Sequence, residues 1–316
     1  MRVLIIGGNG AIGSAIARVA DAVGIDTHVG VRTTASMDRL SAHPRIGAWR
    51  LDATDGDSVR RTLVALQPDW IVMSALPRVG HSPDSKSREE LLLGMCRGLF
   101  GVMEGARDAG FGGTLTWIGS AMCYGTGRGP REPDGALRPQ TFRGAVKAAE
   151  SMLAARLAAD AGIGLNEVRV FTGYGAYEQR ERLVASLLRA GLGGERVRLA
   201  ERPALRDWVH YDDIARACIA SASPGAPAVF NACTGRLHDT HQIARLLERI
   251  SGRPLVSDVA YDCGDRYGDV EPGALPEASG DFQWAPLVDL GEGLERSWEW
   301  ACSPAGRDYL FATVPA

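Results

Sequence analysis

The segment MRVLIIGGNGAIG at the amino terminus places an apolar run directly before a glycine-spaced turn. Residues 3–6 have the composition of a parallel strand that is buried on both faces. Gly7, Gly10 and Gly13 follow at three-residue spacing, and a helix is predicted over residues 10–19. Glycines let the backbone approach a ligand closely, and the open N–H groups that begin a helix attract an anion. The segment therefore predicts a cradle for the pyrophosphate of a dinucleotide.

Strand-like and helical stretches alternate through the first half of the chain. Further strand-like runs are found at residues 26–31, 46–51, 70–74, 114–118 and 164–170. Helical stretches separate them, apart from a longer loop at residues 33–44. This alternation predicts an α/β fold with a doubly wound parallel sheet, the Rossmann type, and helices on both faces.

The pattern becomes irregular after residue 170. A helix is expected near residues 178–190 and a short strand at 197–199, among segments that contain glycine and proline. We therefore predict a dinucleotide-binding Rossmann domain at residues 1–170, to which segments around 201–235 return. Residues 171–316 are expected to form mainly a smaller C-terminal substrate-binding lobe.

The composition limits the partners of the chain. The 316 residues carry a formal net charge of only −3, so nothing points to a nucleic-acid partner, and a small-molecule substrate is expected. The 6 cysteines form no CxxC pair, which fits a reducing cytoplasm. The chain begins with a core strand and has no apolar run of ~18 residues, so neither a signal peptide nor a membrane span is predicted. His238 and His241 lack a third nearby ligand, so no metal site is expected.

The residue that ends the second strand selects between nicotinamide cofactors. An acid there binds the ribose 2′-hydroxyl, whereas an arginine accommodates a 2′-phosphate. This strand ends in Val31-Arg32. Arg32 therefore favours NADP(H); the alternative is a solvated arginine beside NAD(H).

Two further strand ends are expected to contribute to the cradle. Asp52 ends the third strand with an acid that can accept from the adenine amino group. Small residues end the fourth strand and would let the dinucleotide cross the sheet edge. The cofactor-binding residues predicted from these segments are Gly7, Asn9, Gly10, Ala11, Ile12, Gly13, Arg32, Asp52, Ala53, Ser74, Ala75 and Leu76.

Several ordered segments together resemble the extended short-chain dehydrogenase/reductase superfamily, the NAD-dependent epimerase/dehydratase group. They are the GGNGAIG loop, WIGSAMCYG at 117–125, RDWVHYDD at 206–213, QWAP at 283–286 and GEGL at 291–294. The resemblance covers nearly the whole chain. It implies an enzyme that uses NAD(P) to reduce, oxidise or epimerise a hydroxyl or carbonyl carbon.

The catalytic residues of this family are only partly matched. The family uses a Ser or Thr, a Tyr and a Lys, with the Tyr four residues before the Lys. Ser120 and Lys147 match two of these positions, and the resemblance also implies that Lys147 holds the nicotinamide ribose. Arg143 stands at the tyrosine position. With a pKa above ~12, an arginine cannot give up a proton readily.

Three interpretations of Arg143 stay open: a clamp for an anionic substrate, a stabiliser of a developing alkoxide, or a vestige of lost catalysis. Tyr124 and Tyr174 are alternative proton donors, although Tyr124 also suits a packing position. Cys96 stands where the family's helix usually carries an asparagine.

The resemblance also implies substrate contacts in the second lobe. Arg206 and Arg266 match arginines that grip a diphosphate in nucleotide-sugar members, and Tyr174 lies in a neighbouring loop. A small polar substrate, anionic or nucleotide-linked, is therefore expected. Ala121 and Met122 replace the acidic pair of the family's 4,6-dehydratases, which disfavours dehydration.

Two other functions are compatible with the missing tyrosine. One is an NADP(H)-binding sensor or scaffold without redox turnover, and the other is a non-redox lyase or isomerase that uses the same pocket. Two long helices, at residues 87–109 and 141–161, keep apolar residues at helical spacing. Together with the resemblance, they predict a homodimer.

Overall fold

The computed structural model describes residues 1–33, 37–75, 85–125, 129–257 and 272–312. Within these ranges the strands are β1 (Arg2–Ile6), β2 (Asp26–Val31), β3 (Gly47–Arg50), β4 (Trp70–Met73), β5 (Thr114–Ser120), β6 (Gly164–Val170), β7 (Thr172–Tyr174), β8 (Leu205–His210), β9 (Val229–Ala232) and β10 (Leu237–Asp239). The α-helices are α1 (Ala11–Ala22), α2 (Gly56–Leu66), α3 (Ser85–Asp108), α4 (Phe142–Ala161), α5 (Leu183–Gly191), α6 (Tyr211–Ser221), α7 (Thr240–Ser251), α8 (Leu290–Cys302) and α9 (Pro304–Phe311).

The main sheet has seven strands in the order β3-β2-β1-β4-β5-β6-β9. Every neighbouring pair in it is parallel. The predicted doubly wound sheet is therefore confirmed. The carboxyl ends of β1, β2, β4 and β5 lie along one edge, where this architecture places its ligands.

Alternate residues of β1 belong to two separate cores. Val3 and Ile5 pack in the layer that contains α1 and α6, whereas Leu4 and Ile6 pack in the layer that contains α2 and α3. All four side chains are buried. Burial on both faces explains why this strand is continuously apolar.

A smaller unit follows the main sheet. β10, β8 and β7 form a three-stranded sheet, and apolar residues of α5, α7, α8 and α9 share a third core with it. β9 then returns to the edge of the main sheet, and α6 packs in its α1 layer. The division at residue 170 stays a prediction, because the chain crosses between the two units more than once.

Two predicted elements of the second unit differ from the structure. α5 begins at Leu183, after a backbone turn in which Tyr177 has a φ of 63°. A β-branched or bulky residue with positive φ is incompatible with a continuous helix. The expected strand at 197–199 is reduced to an isolated bridge between Val197 and Val256.

Candidate functional site

The glycine loop joins β1 to α1 at the carboxyl edge of the main sheet. Gly7 has a φ of 84°, and a Cβ there would lie 2.6 Å from the Cα of Ala75 after β4. A Cβ on Gly13 would overlap the carbonyl oxygen of Gly7. Gly10 caps α1 without a side-chain hydrogen bond. The first N–H groups of α1 therefore face a cradle that a side chain at these positions would fill, and this cradle fits a dinucleotide pyrophosphate.

An arginine from the β2–β3 connection supports the glycine loop. The Arg39 Nη1 donates to the carbonyl oxygen of Asn9 at 2.7 Å. Its Nη2 donates to the hydroxyl of Tyr309 on α9 at 2.5 Å, and its Nε donates to the carbonyl oxygen of Tyr177 at 3.3 Å. Arg39 was not anticipated from the sequence. It links the loop to the second unit through groups far apart in the chain.

The ends of β2 and β3 lie beside this loop. Arg32 is exposed, and its guanidinium has no hydrogen bond or ion pair within the described ranges. One carboxylate oxygen of Asp52 accepts from the backbone N–H and the hydroxyl of Thr54, at 2.9 and 2.8 Å. The backbone of Ala53 packs closely against Gly101 of α3. The Arg32 guanidinium is thus available to bind a phosphate. The Asp52 carboxylate is already used by the hydrogen bonds to Thr54 that stabilise the turn after β3.

The end of β4 closes the near side of the cradle. The N–H of Ser74 donates to the carbonyl oxygen of Ile6 at 2.9 Å, which continues the β1–β4 pairing. Ser74 and Ala75 are half-buried. Leu76, which was also predicted to contact the cofactor, lies outside the described residues.

Ser120 ends β5 and begins a tight turn. Its Oγ accepts from the backbone N–H of Met122 at 3.3 Å. A Cβ on Gly144, in the first turn of α4, would lie 2.5 Å from the Met122 carbonyl oxygen. Because Gly144 has no side chain, α4 packs directly on this turn. The packing places the beginning of α4, which carries Arg143 and Lys147, next to the turn that Ser120 begins.

Arg143 is half-buried in the first turn of α4. Within the described ranges its guanidinium has neither a hydrogen bond nor an ion pair. An arginine offers five donors in a planar fork, which suits a carboxylate or phosphate. The arrangement leaves these donors available to a ligand.

Lys147 forms an ion pair one turn further along the same helix. Its Nζ donates to Glu150 Oε2 at 2.6 Å. Burial raises the pKa of Glu150, and the neighbouring Lys147 opposes that rise. Glu150 was not anticipated from the sequence, although an acid three residues after a lysine is a recognisable helical pair.

The position of Tyr124 contradicts its predicted role as a proton donor. Its ring is buried in the core, and its hydroxyl donates to Asn231 Oδ1 at 2.7 Å. The Tyr124 hydroxyl oxygen also accepts from Arg169 Nη1 at 2.9 Å. Burial raises the pKa of Tyr124 far above its usual value. The side chain is therefore a packing residue whose hydroxyl is already committed.

A buried ionic group lies behind Tyr124. Arg169 and Glu167 on β6 form an ion pair at 3.2 Å. The Ser151 hydroxyl of α4 donates to Glu167 Oε2 at 2.6 Å and accepts from Arg169 Nη2 at 3.1 Å. Arg169 also holds the carbonyl oxygen of Pro133 at 2.7 Å. The sequence signal for this group is the charged pair inside the otherwise buried end of β6.

Cys123 and Tyr174 are enclosed as well. Burial raises the pKa of the Cys123 thiol to about 12, so the thiol is inert. Tyr174 is buried against Trp208 and His210, and Gly293 of α8 packs against its ring. Among the described residues its hydroxyl has no hydrogen-bond partner. This enclosure contradicts the predicted contact between Tyr174 and substrate.

The aspartates of the RDWVHYDD segment support the backbone. Asp207 accepts from the N–H groups of Thr234 and Gly235 at 2.7 and 2.9 Å. Asp213 accepts from the N–H groups of Leu287 and Val288 at 2.8 and 3.0 Å. Both carboxylates are buried. They hold later segments of the chain against β8 and α6.

Arg206, in the same segment, is half-exposed on β8. It lies opposite His238 of β10, and its Nη1 donates to the carbonyl oxygen of Leu205 at 2.7 Å. Arg266, the second predicted diphosphate contact, lies outside the described residues. The proposed two-arginine grip therefore stays a prediction.

Two general properties complete the description. In the described ranges, no group of three or more His, Cys, Asp or Glu side chains could hold a metal ion. Among the helices described, none combines the length and apolar character that a bilayer crossing needs.

Solved structures share this fold over almost the whole chain. UDP-glucose 4-epimerase from Thermotoga maritima, solved with UDP-glucose, is 21% identical with a TM-score of 0.81, and the match covers 95% of this chain and 98% of the other. MoeE5, solved with UDP-glucose and NAD, is 25% identical with a TM-score of 0.80 over the same shares. The enzyme WbmG from Bordetella bronchiseptica, solved with NAD, is 21% identical with a TM-score of 0.79, covering 100% of this chain and 98% of that enzyme.

A curated relative matches over part of its length. It is the dTDP-glucose 4,6-dehydratase of Streptomyces griseus, which is 29% identical over 186 residues. These residues are 55% of this chain and span only 56% of that relative. The sequence profile of the NAD dependent epimerase/dehydratase family matches residues 3–233. The chain belongs to the NAD dependent epimerase/dehydratase family.

Proposed function

We propose that the protein is an NADP(H)-dependent enzyme that reduces, oxidises or epimerises a hydroxyl or carbonyl carbon of a small polar substrate. One observation carries the proposal. The glycine loop follows β1 and Ser120 ends β5, both at the carboxyl edge of one parallel sheet, and α4, which carries Lys147, packs on the turn after Ser120. In doubly wound folds this edge is where a dinucleotide and its substrate meet.

The choice of NADP(H) rests on Arg32. Its guanidinium is exposed at the end of β2 and has no acceptor among the described residues. A guanidinium pairs with phosphate in a bidentate manner. NAD(H) stays the alternative, since MoeE5 and WbmG were solved with NAD.

Each residue of the site has a defined task. The hydroxyl of Ser120 would hydrogen-bond the reacting oxygen, and Lys147 would hold the ribose hydroxyls and so fix which face of the cofactor meets the substrate. When bound, the nicotinamide supplies the hydride or accepts it. Arg143 would bind an anionic group of the substrate or stabilise negative charge on the reacting oxygen.

Arg143 cannot replace a tyrosine as a proton donor, because an arginine stays charged throughout the working pH range. Tyr124 is enclosed by Arg169 and Asn231, so it is excluded from that task as well. The proton would therefore come from the substrate or from water. Dehydration is disfavoured, since Ala121 and Met122 offer no acid at the turn after Ser120.

The substrate proposed is anionic or nucleotide-linked. MoeE5 was solved with UDP-glucose, and the match to it spans nearly both chains. Arg206 and Arg143 would meet its charged groups through bidentate pairing. The Arg143 guanidinium, which has no acceptor among the described residues, favours an anion over a neutral sugar.

A second function fits the absence of a proton donor. Since Arg143 occupies the position of the family's tyrosine, the chain would bind NADP(H) as a sensor or scaffold without turnover. A non-redox lyase or isomerase would use the same pocket. Hydride transfer to carbonyl substrates separates these functions from the enzyme proposed above.

The first experiment is mass spectrometry of small molecules released by denaturing freshly purified protein, followed by NADPH and NADH titration of the emptied protein. A tightly held oxidised dinucleotide would indicate an epimerase, because hydride then leaves and returns within one turnover. Reversible NADPH binding would indicate a net reductase or a sensor. Failure to bind either cofactor would overturn the redox proposal.

Two substitutions refine the assignment. Arg32→Asp is expected to reverse the preference for NADPH over NADH, whereas Arg61→Asp on the exposed side of α2 is not. Arg143→Tyr is expected to change activity strongly, and Phe142→Tyr serves as its control one residue earlier. Unchanged activity in Arg143→Tyr would argue against chemistry at this site.

A further inference from the structure

The ammonium group of Lys147 is held by a single carboxylate. Its Nζ lies 2.6 Å from Glu150 Oε2, and in the described ranges no other acceptor contacts it. The side chains of Lys147 and Glu150 are only 11% and 3% exposed. The three-residue spacing places both on one face of α4, so the pair forms within the helix.

Glu150 is itself fixed by its surroundings. The buried Trp117 side chain of β5 lies close enough to lower the pKa of Glu150, against the larger effect of burial, which raises it. The charge of Glu167 on β6 also raises the pKa of Glu150, but the Glu167 carboxylate is itself paired with Arg169 and Ser151. The Glu150 carboxylate is therefore enclosed beside the sheet, and its recorded contact is with Lys147.

Stability alone does not account for this pair. A buried ion pair contributes little net stability relative to apolar side chains of the same volume, because both charges lose their hydration. An ammonium group has three donors, and Glu150 takes one of them. The remaining two can point towards the two hydroxyls of a ribose.

We propose that Glu150 is a positioning residue whose carboxylate holds the Lys147 ammonium group in place for the nicotinamide ribose. This inference rests on the proposed function. Glu150 touches neither cofactor nor substrate and acts through Lys147. Without the carboxylate, Lys147 would leave the half-buried site for solvent, since its long side chain is flexible.

A double-mutant cycle tests this dependence, with the dissociation constant of NADPH measured by fluorescence titration. Glu150→Gln keeps the shape of the side chain and is expected to weaken NADPH binding about tenfold, the cost of a misplaced charge-assisted hydrogen bond. Lys147→Met is expected to weaken it by at least as much. Adding Glu150→Gln to Lys147→Met should then weaken binding less than about twofold, because the group that Glu150 positions is gone. Glu248→Gln on α7 is the control and should bind like wild type.

Two results would overturn the role of Glu150. One is unchanged NADPH binding in Glu150→Gln. The other is an equal loss in both backgrounds, which would mean that Glu150 acts on the fold and not through Lys147. Wild-type protein that binds neither NADPH nor NADH would instead overturn the proposed function and, with it, this inference.

A second variant serves if Glu150→Gln does not fold. Glu150→Asp keeps the negative charge and withdraws it by one methylene, so the ammonium group should move with it. Binding about threefold weaker than wild type supports a positional role, given the distance dependence of charge-assisted hydrogen bonds. Binding equal to wild type would contradict it.

Discussion

The side chain of Tyr124 shows how burial decides the role of a residue. Its hydroxyl joins Arg169 and Asn231, which lie 45 and 107 residues away in sequence. In Tyr124→Phe, Asn231 and Arg169 each lose a hydrogen bond inside the core, so we expect the free energy of unfolding to fall by about 1–3 kcal/mol. The affinity for NADPH should not change. Urea denaturation and fluorescence titration measure the two quantities.

Tyr177→Phe is the matched control for that variant. The hydroxyl of Tyr177 has no hydrogen-bond partner within the described ranges, so its removal should leave the free energy of unfolding nearly unchanged. A selective loss of NADPH binding in Tyr124→Phe, without a loss of stability, would restore Tyr124 as a site residue.

Glu178 makes stability depend on pH. Its carboxyl group is buried, Arg182 pairs with Oε1 at 2.8 Å, and Oε2 has no hydrogen-bond partner in the part of the chain that the structure describes. Burial raises the pKa of Glu178 from 4.5 to about 7. Between pH 4.5 and pH 7 the folded state therefore keeps a proton on Glu178 that the unfolded state has released. The contribution of this proton to the stability of the fold is fully present below pH 4.5 and is lost as the pH rises through 7.

Glu178→Gln should remove this dependence. Relative to the variant, wild-type protein should lose up to about 1.4 kcal/mol in unfolding free energy per pH unit across that window. Urea denaturation at several pH values measures the slope. Glu292→Gln, which removes an exposed carboxylate on α8, is the control and should keep the wild-type slope. Parallel curves for wild type and Glu178→Gln would show that Glu178 is ionised in the fold.

Sequence reasoning found the residues whose role is local and missed those whose role is tertiary. Gly7 and Gly13 were identified because backbone geometry alone requires glycine there. Glu150 was missed because its spacing from Lys147 shows the pair but not that the pair is buried. Arg39 was missed, since nothing in its own segment shows what it contacts. Tyr174 was misassigned for the same reason, because Gly293 covers its ring from a distant helix.

At the level of elements, the main strands were the most predictable. β2 and β6 have the predicted bounds, although each begins with exposed or polar residues and only its last three or four residues are buried without interruption. α4 begins after Thr141, whose side chain caps it by accepting from Gly144 N–H at 3.0 Å. The bridge at Val197 depends on a partner at Val256, so no local pattern could set its length.

The predicted dimer would use helices α3 and α4. They pack together through Leu91, Met95 and Val146, and their outer surfaces expose other apolar side chains. These are Leu92, Leu93, Phe100, Phe142, Met152 and Leu153. Exposed apolar groups on neighbouring helices favour a second copy of the chain.

We expect light scattering to give the mass of two chains. Met152→Glu should shift that mass towards one chain, because a charge would be buried at the centre of the interface. Leu287→Glu changes an apolar residue that is even more exposed but lies outside α3 and α4, and it should leave the mass unchanged. A wild-type mass of one chain would contradict the predicted dimer.

At the scale of the molecule, hydrogen bonds of Arg39 connect the glycine loop to the second unit; we call Arg39 and Tyr309 the joint. Arg39 contacts Asn9 on one side and Tyr309 of α9 on the other. The Tyr309 hydroxyl also donates to the carbonyl oxygens of Tyr177 and Glu178, at 3.2 and 3.1 Å. The arrangement predicts that a substitution on α9 changes cofactor binding at the glycine loop.

Tyr309→Phe removes the hydroxyl that Arg39 binds. We expect NADPH affinity to fall about fivefold, which corresponds to ~1 kcal/mol for one hydrogen bond. Hydrogen exchange should also speed up in the glycine loop. Phe311→Ala, an exposed position on the same helix, is the control. Unchanged exchange at residues 7–10 in Tyr309→Phe would mean that the joint does not support the loop.

The same joint affects the order of events during biosynthesis. Arg39 and Tyr309 are 270 residues apart, so a ribosome working at about 5–20 residues per second needs roughly 15–50 seconds to make the second after the first. Throughout that interval the nascent Rossmann sheet would carry a glycine loop that lacks one of its supports. Tight capture of the dinucleotide would therefore follow translation of α9.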